Sequence, residues 1–211
     1  MARHLVVSVI ALCVLSACSS PAQWTPGPIV TESATTVATT PSASPTSSAT
    51  AATPTAPAVP DATGATDVSS YDFADFASPS GRIWCGLRSD LALCHFPYGM
   101  KGKVPSSNTV CPGEGLDVTG VSVDAQGKAE YFCSGDPEAF PQTTSESVAW
   151  WKPAGYPSVK YNGFTLAVLP YGKKIANGSY VCISEKVGVT CGNTQTGKGF
   201  KVALAGVTFI G

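Results

Sequence analysis

Six of the chain's eight cysteines fall in its last 141 residues, and four of those six share one spacing. Cys85 and Cys94 flank eight residues, as do Cys182 and Cys191. Each segment fits a hairpin with a two-residue loop, at Ser89-Asp90 and at Lys186-Val187. The closing pair then exchanges hydrogen bonds, and alternation leaves each cysteine pair non-hydrogen-bonded. Cα atoms at such positions lie ~4.5 Å apart, within the span of a disulfide. A longer loop at Gly188 would change the alternation. Cys111 and Cys133 remain and pair by elimination, closing a loop worth about 3 kcal/mol on the chain-entropy model. Zinc is the competing use of these cysteines, but it calls for close ligand pairs such as C-x2-C, and none occurs. No metal and no cofactor is expected.

Disulfides need an oxidising compartment, and the N-terminus supplies the address. Residues 1–17 combine Arg3 and His4 with an apolar run from Leu5 to Ala17. This is the layout of a signal peptide, too short for a bilayer core that needs roughly 20 residues. The run ends in Leu15-Ser16-Ala17-Cys18. That sequence resembles the bacterial lipobox, which implies that Cys18 becomes the acylated first residue of the mature protein. Two or three acyl chains, at about 0.8 kcal/mol per buried CH₂, hold a protein stably on a membrane. The expected location is therefore the extracytoplasmic face of a cell membrane, with the lipid bilayer as the first partner. Cys13 lies inside the discarded run.

Between Ser19 and Thr66, 38 of 48 positions are Ser, Thr, Ala or Pro, and none is Lys or Arg. Such a segment cannot bury a core. Its eight prolines fix φ and disfavour helix before them. Residues 18–70 read as a lipidated, extended tether of ~40 Å as a coil and at most about 150 Å as polyproline II. Thr beside Pro also suits O-glycosylation.

Residues 71–211 read as one domain. Its 12 Lys and Arg against 11 Asp and Glu leave no basic field for nucleic acid. Short runs rich in β-branched and aromatic residues, bounded by Gly or Pro, predict strands at 82–87, 91–96, 116–123, 129–133, 164–169, 179–184, 187–191, 200–204 and 207–210. Helical periodicity is hinted at only around Pro141 to Trp151. The expectation is an all-β, disulfide-stapled antiparallel sandwich or barrel. Ile83-Trp84-Cys85, Tyr131-Phe132-Cys133 and Tyr180-Val181-Cys182 recur 48 and 49 residues apart, so a β-trefoil-like pseudo-repeat is the minor alternative.

Several stretches carry a resemblance: Phe76-Ala77-Ser78-Pro79-Ser80-Gly81-Arg82-Ile83-Trp84-Cys85, Leu169-Pro170-Tyr171-Gly172, Gly188-Val189-Thr190-Cys191-Gly192-Asn193 and Thr196-Gly197-Lys198-Gly199-Phe200. Together they resemble a domain of unknown function found in actinobacterial, notably mycobacterial, secreted proteins and lipoproteins, over nearly all of residues 71–211. Asn is common in that family where Arg82 stands, and His where Lys198 stands, which marks this chain as divergent. The resemblance implies an envelope location and paired cysteines, and it implies no activity.

Catalytic motifs are sparse. Gly192 to Lys198 approaches a phosphate-binding loop, but Gly199 stands where Ser or Thr is needed and a strand follows, so a turn is expected and no nucleotide. His95, the domain's one histidine, follows Cys94 on a predicted strand and reads as structural. Carboxylates at Asp72, Asp75, Asp90, Asp117, Asp136 and Glu138 keep open a hydrolase acting on cell-wall polysaccharide through two facing acids. The favoured reading is a non-catalytic module that binds an envelope protein, glycan or lipid. Its candidate contact surface is Trp150, Trp151 and Tyr156, in a Pro- and Gly-bearing segment that could expose a ring. The alternative is that these rings pack beneath their own loop.

Overall fold

The computed structural model describes residues 56–211. The expected signal peptide, Cys18 and most of the expected tether lie outside them. The described chain is an all-β antiparallel sandwich in which neither sheet closes into a barrel. The first sheet is a meander of β2 (Ala74–Ala77), β3 (Trp84–Leu87), β4 (Leu91–His95), β5 (Val118–Asp124) and β6 (Ala129–Cys133). The second is a meander of β9 (Lys174–Asn177), β10 (Tyr180–Glu185), β11 (Gly188–Asn193), β12 (Lys198–Ala203) and β13 (Gly206–Ile210). Between them in sequence, β7 (Ser158–Tyr161) and β8 (Phe164–Ala167) form a separate hairpin. One-turn helices α1 (Ser107–Val110) and α2 (Trp151–Ala154) and a 3₁₀ turn at Glu146–Val148 occupy connections.

The two meanders are built alike. Each places its cysteine hairpin on its second and third strands, with Cys85 opposite Cys94 and Cys182 opposite Cys191. Phe76 and Ile175 stand opposite the first cysteine of each pair, and Val121 and Phe200 opposite the second. The next pairings outward are Val121 with Tyr131 and Phe200 with Phe209. Counterparts also pack on one another across the sandwich: β10 on β3, β11 on β4, β12 on β5 and β13 on β6. The repeat is thus two-fold, at the 97-residue offset between Cys85 and Cys182, and the trefoil alternative fails. Tyr131-Phe132-Cys133, the middle member of the sequence echo, lies on the last strand of the first meander, where Cys133 bridges to Cys111.

Both hairpins turn where the cysteine spacing predicts. Arg88 N–H donates to the Leu91 carbonyl around Ser89-Asp90, and Glu185 faces Gly188 around Lys186-Val187. The bridged Cα atoms are 4.0 and 4.1 Å apart. The bridges Cys85–Cys94, Cys111–Cys133 and Cys182–Cys191 are all formed. The first and third lie on the inner faces of their sheets, and Cys94 Sγ meets Cys191 Sγ at 3.9 Å. Around this contact the core gathers Phe76, Leu87, Val121, Val123, Ile175, Tyr180, Val189, Phe200 and Val202, all buried.

Ordered structure begins earlier than residue 71, so the sequence boundary falls too late. β1 (Thr66–Asp67) pairs parallel to β9, and Val68 N–H donates to the Ala176 carbonyl at 2.9 Å. Val68 is wholly buried in the main core. Asp61 pairs with Lys174 at 3.1 Å, and Val59 covers Gly192, where a Cβ would come within 2.5 Å of it. The polar, proline-rich composition hides these few apolar anchors. Burial of Val68 alone contributes about 2 kcal/mol. A chain shortened to begin at Tyr71 should therefore unfold in urea with about 2–4 kcal/mol less stability than one beginning at Ala56. Equal midpoints and slopes would show that residues 56–70 add nothing.

Candidate functional site

The strand alternation that turns Cys85 inward turns Trp84 to the outer face of the first sheet. There its indole N–H donates to the Gly81 carbonyl at 2.8 Å. Gly81 is required twice over: its φ is +72°, and a Cβ would sit 2.7 Å from Tyr161 Cβ. Trp84 is the floor of a cluster of rings. Phe140 lies 5.3 Å away, Tyr98 5.9 Å and Phe164 6.3 Å, the last two edge-on. Phe140 meets Phe164 at 5.2 Å, and Tyr98 meets Tyr161 at 5.2 Å. Ring pairs at these separations and angles place edges against faces, which is favourable beyond area burial.

These rings enclose an open cleft of about 310 Å³, lined by Trp84, Pro97, Tyr98, Pro137, Phe140 and Phe164. No charged side chain lines it. Tyr98 forms an exposed wall, 44% accessible, whereas Trp84 is almost fully covered. The β7–β8 hairpin supplies Phe164 and Tyr161 and turns at Asn162-Gly163, both with positive φ. Arg82 Nε donates to Tyr161 Oη at 3.0 Å and braces the rim.

Three polar side chains, from β2, β4 and the β3–β4 turn, hold the Pro137–Phe140 wall. Phe140 N–H donates to Asp75 Oδ2 at 3.1 Å, and Glu138 N–H donates to His95 Nε2 at 2.6 Å. Arg88 Nη2 donates to the Glu138 carbonyl at 3.1 Å. Gly86, opposite Asp75, leaves the space this carboxylate fills, since a Cβ there would stand 2.5 Å from Oδ1. Burial pushes the Asp75 carboxyl up to about 6, against hydrogen bonds from Ser147 and Phe140 and the charge of Arg88. Burial also drives His95 down to about 4, aided by Arg88 and opposed by its hydrogen bond with the Thr119 backbone. The imidazole is thus neutral, with Nε2 free to accept.

Trp150, Trp151 and Tyr156 do not form a free surface. Trp150 is 2% exposed and donates its indole N–H to the Asp75 carbonyl at 3.0 Å. Trp151 donates to the Pro157 carbonyl at 3.0 Å, and Tyr156 Oη lies 3.1 Å from Thr66 Oγ1. Trp151 and Tyr156 pack against the main core. The segment is one turn of helix closed by Gly155 at φ +66°, so strand alternation does not apply and the rings fold back onto the sandwich. The near-phosphate loop is the β11–β12 turn, with Asn193 Oδ1 accepting from Gln195 N–H at 2.9 Å.

Sequence reasoning passed over the cleft residues. The cysteine register already placed Trp84 on the outer face, and Asn162-Gly163 between Tyr161 and Phe164 is a strong hairpin signal. A hollow of about 400 Å³ at the end of the sandwich includes Ser78, Ser80, Glu185 and Lys186 among turn residues. Its serine hydroxyls bond each other at 3.0 Å, so it presents a less committed surface. Each of the five cavities described holds at most one carboxylate, and Asp75 lines none of them. The sulfur cluster of Cys85, Cys94 and Cys191 is spent in bridges. No family model matches the chain, and no curated protein or solved structure matches it either.

Asp75 and His95 bias stability in opposite directions. A raised carboxyl means the folded state binds the extra proton between pH 3.8 and about 6, so acidification through that window stabilises. A lowered imidazole means the unfolded state binds it between pH 6.5 and about 4, so the same acidification destabilises. In the native chain the two oppose one another. Asp75→Asn keeps an acceptor for Phe140 and should expose the His95 effect, with urea stability falling by up to about 3 kcal/mol from pH 6.5 to 4. Parallel pH profiles for variant and native protein would contradict these assignments.

Proposed function

We propose that this chain is an actinobacterial-type envelope lipoprotein, anchored by acylated Cys18, whose β sandwich is a non-catalytic binding module. The observation that carries the binding reading is the aromatic cleft. It is uncharged, walled by rings and prolines, and near the lower end of ligand-site volumes. Such a surface takes up a neutral group with a flat or hydrocarbon face, carried by an envelope glycan, lipid or protein. Stacking and desolvation supply the affinity, while Tyr98 and Tyr161 offer hydroxyls at the rim. The nearly balanced charge of the domain agrees with a neutral ligand.

The tether sets where this surface works. A mature chain starting at Cys18 would carry the sandwich within tens of ångströms of the bilayer. The lipobox and the six bridged cysteines both support an oxidising, extracytoplasmic setting.

A photo-reactive phenylalanine at position 98, in the tethered protein in its native cells, should yield discrete cross-linked products. Phe164→Ala should reduce them at least five-fold, and the same probe at exposed Lys152 should not give them. Equal products from both positions, or none at 98, would overturn the cleft as the binding surface. In parallel, Cys18→Ala should move the protein from membranes to the soluble fraction, and continued retention would refute the lipid anchor.

A further inference from the structure

Two disulfides that touch are a chemical system as well as a structural one. Cys85, Cys94, Cys182 and Cys191 are all wholly buried, and their bridges lie back to back across the sandwich. Cys94 Sγ is 3.9 Å from Cys191 Sγ, and the sulfurs of Cys85, Cys94 and Cys191 all lie within 4.8 Å of one another. This is close to van der Waals contact. A thiolate released at Cys94 would therefore find an intact disulfide beside it, in a site that excludes solvent and competing thiols. Thiol–disulfide exchange needs a thiolate, an accessible disulfide sulfur and a leaving thiolate, and this core places the first two together.

We propose that the two bridges form an exchange pair that converts intra-sheet links into one inter-sheet link. A dithiol reductant first reduces Cys85–Cys94, giving two thiols while the dithiol becomes a disulfide. Access to these buried sulfurs comes through the rare opening of the shared core, and reclosure brings Cys94 back against Cys191. Cys94, as thiolate, then attacks Cys191 Sγ. The Cys94–Cys191 bond forms as the Cys182–Cys191 bond breaks, and Cys182 leaves as a thiolate and takes up the proton that Cys94 gave. The exchange step is redox-neutral, and the product holds one bridge between the sheets and thiols at Cys85 and Cys182. The like-on-like packing of the meanders makes the reverse entry equivalent: reduction of Cys182–Cys191 frees Cys191 to attack Cys94.

The consequence is a core that answers reduction by tying its layers together. Each original bridge closes a hairpin with a sequence separation of 9. The new one joins residues 97 apart, on different sheets, and constrains the unfolded chain more strongly. One reducing event therefore leaves the sandwich covalently closed across its middle.

The experiment is partial reduction of the folded, oxidised protein with dithiothreitol at pH 8, acid quenching, alkylation and non-reducing peptide mapping. Among two-thiol species that keep Cys111–Cys133, the expected one carries Cys94–Cys191, with alkylated Cys85 and Cys182. Species reduced at Cys85–Cys94 or at Cys182–Cys191 that keep the other of these two bridges intact would overturn the proposal. A Cys85→Ser/Cys182→Ser double variant removes the reduction step. It should oxidise to a Cys94–Cys191 bridge beside the unchanged Cys111–Cys133 bridge, with native far-ultraviolet circular dichroism. A folded double variant that retains both thiols under oxidant, or one that cannot fold with that bridge, would likewise overturn it.

Discussion

The contact between the Cys85–Cys94 and Cys182–Cys191 bridges is the point from which the rest of the structure can be derived. Each bridge fixes the register of a hairpin, because a cross-strand disulfide fits the close, non-hydrogen-bonded pairs of an antiparallel ladder. Register then decides which residues face inward. Phe76, Leu87, Val121 and Val123 on one sheet, and Ile175, Val189, Phe200 and Val202 on the other, meet in one core because they share a face with a bridged cysteine. Sulfur on sulfur at the centre lets the two hairpins approach without a bulky side chain between them.

The same register creates the outer surface. Trp84, Gly86, Leu93 and His95 alternate with the inward residues and would leave an apolar sheet face open to water. The chain covers it with the Ser134–Phe140 segment and the β7–β8 hairpin, which build a second small core around Ala77, Trp84 and Leu166. That cover is attached by buried polar groups. Asp75 and His95 are costly to bury, yet each satisfies a backbone N–H that the connecting segment could not otherwise pair. The cleft between Tyr98, Phe140 and Phe164 is what remains where the cover stops. Its ring geometry therefore depends on two titratable residues that do not line the cleft.

Much of this was legible in the sequence. The C-x8-C spacing yields both hairpins and both turns, and all nine predicted strands lie on observed ones. The missed strands explain themselves. β2 carries a buried aspartate and β9 is short and lysine-bearing, so hydrophobic alternation is weak in both, while β7 alternates but over only four residues. β1 is only two residues long and pairs at long range, a contact with no local signal. The site was less legible, because a ring's exposure depends on which segment packs over it. Trp150 and Trp151 looked available beside Pro and Gly, but a helical turn folds them inward. Tyr98 and Phe140 looked ordinary and together form an open wall.

The central claim is that two like meanders form one cooperative core around the stacked bridges. Native-state hydrogen exchange tests it most directly. The amides of β3, β4, β10 and β11 should be the last to exchange, with matching free energies equal to that of global unfolding. Exchange in which one sheet opens well before the other, with a free energy set apart from the global value, would show two stability units and contradict the account.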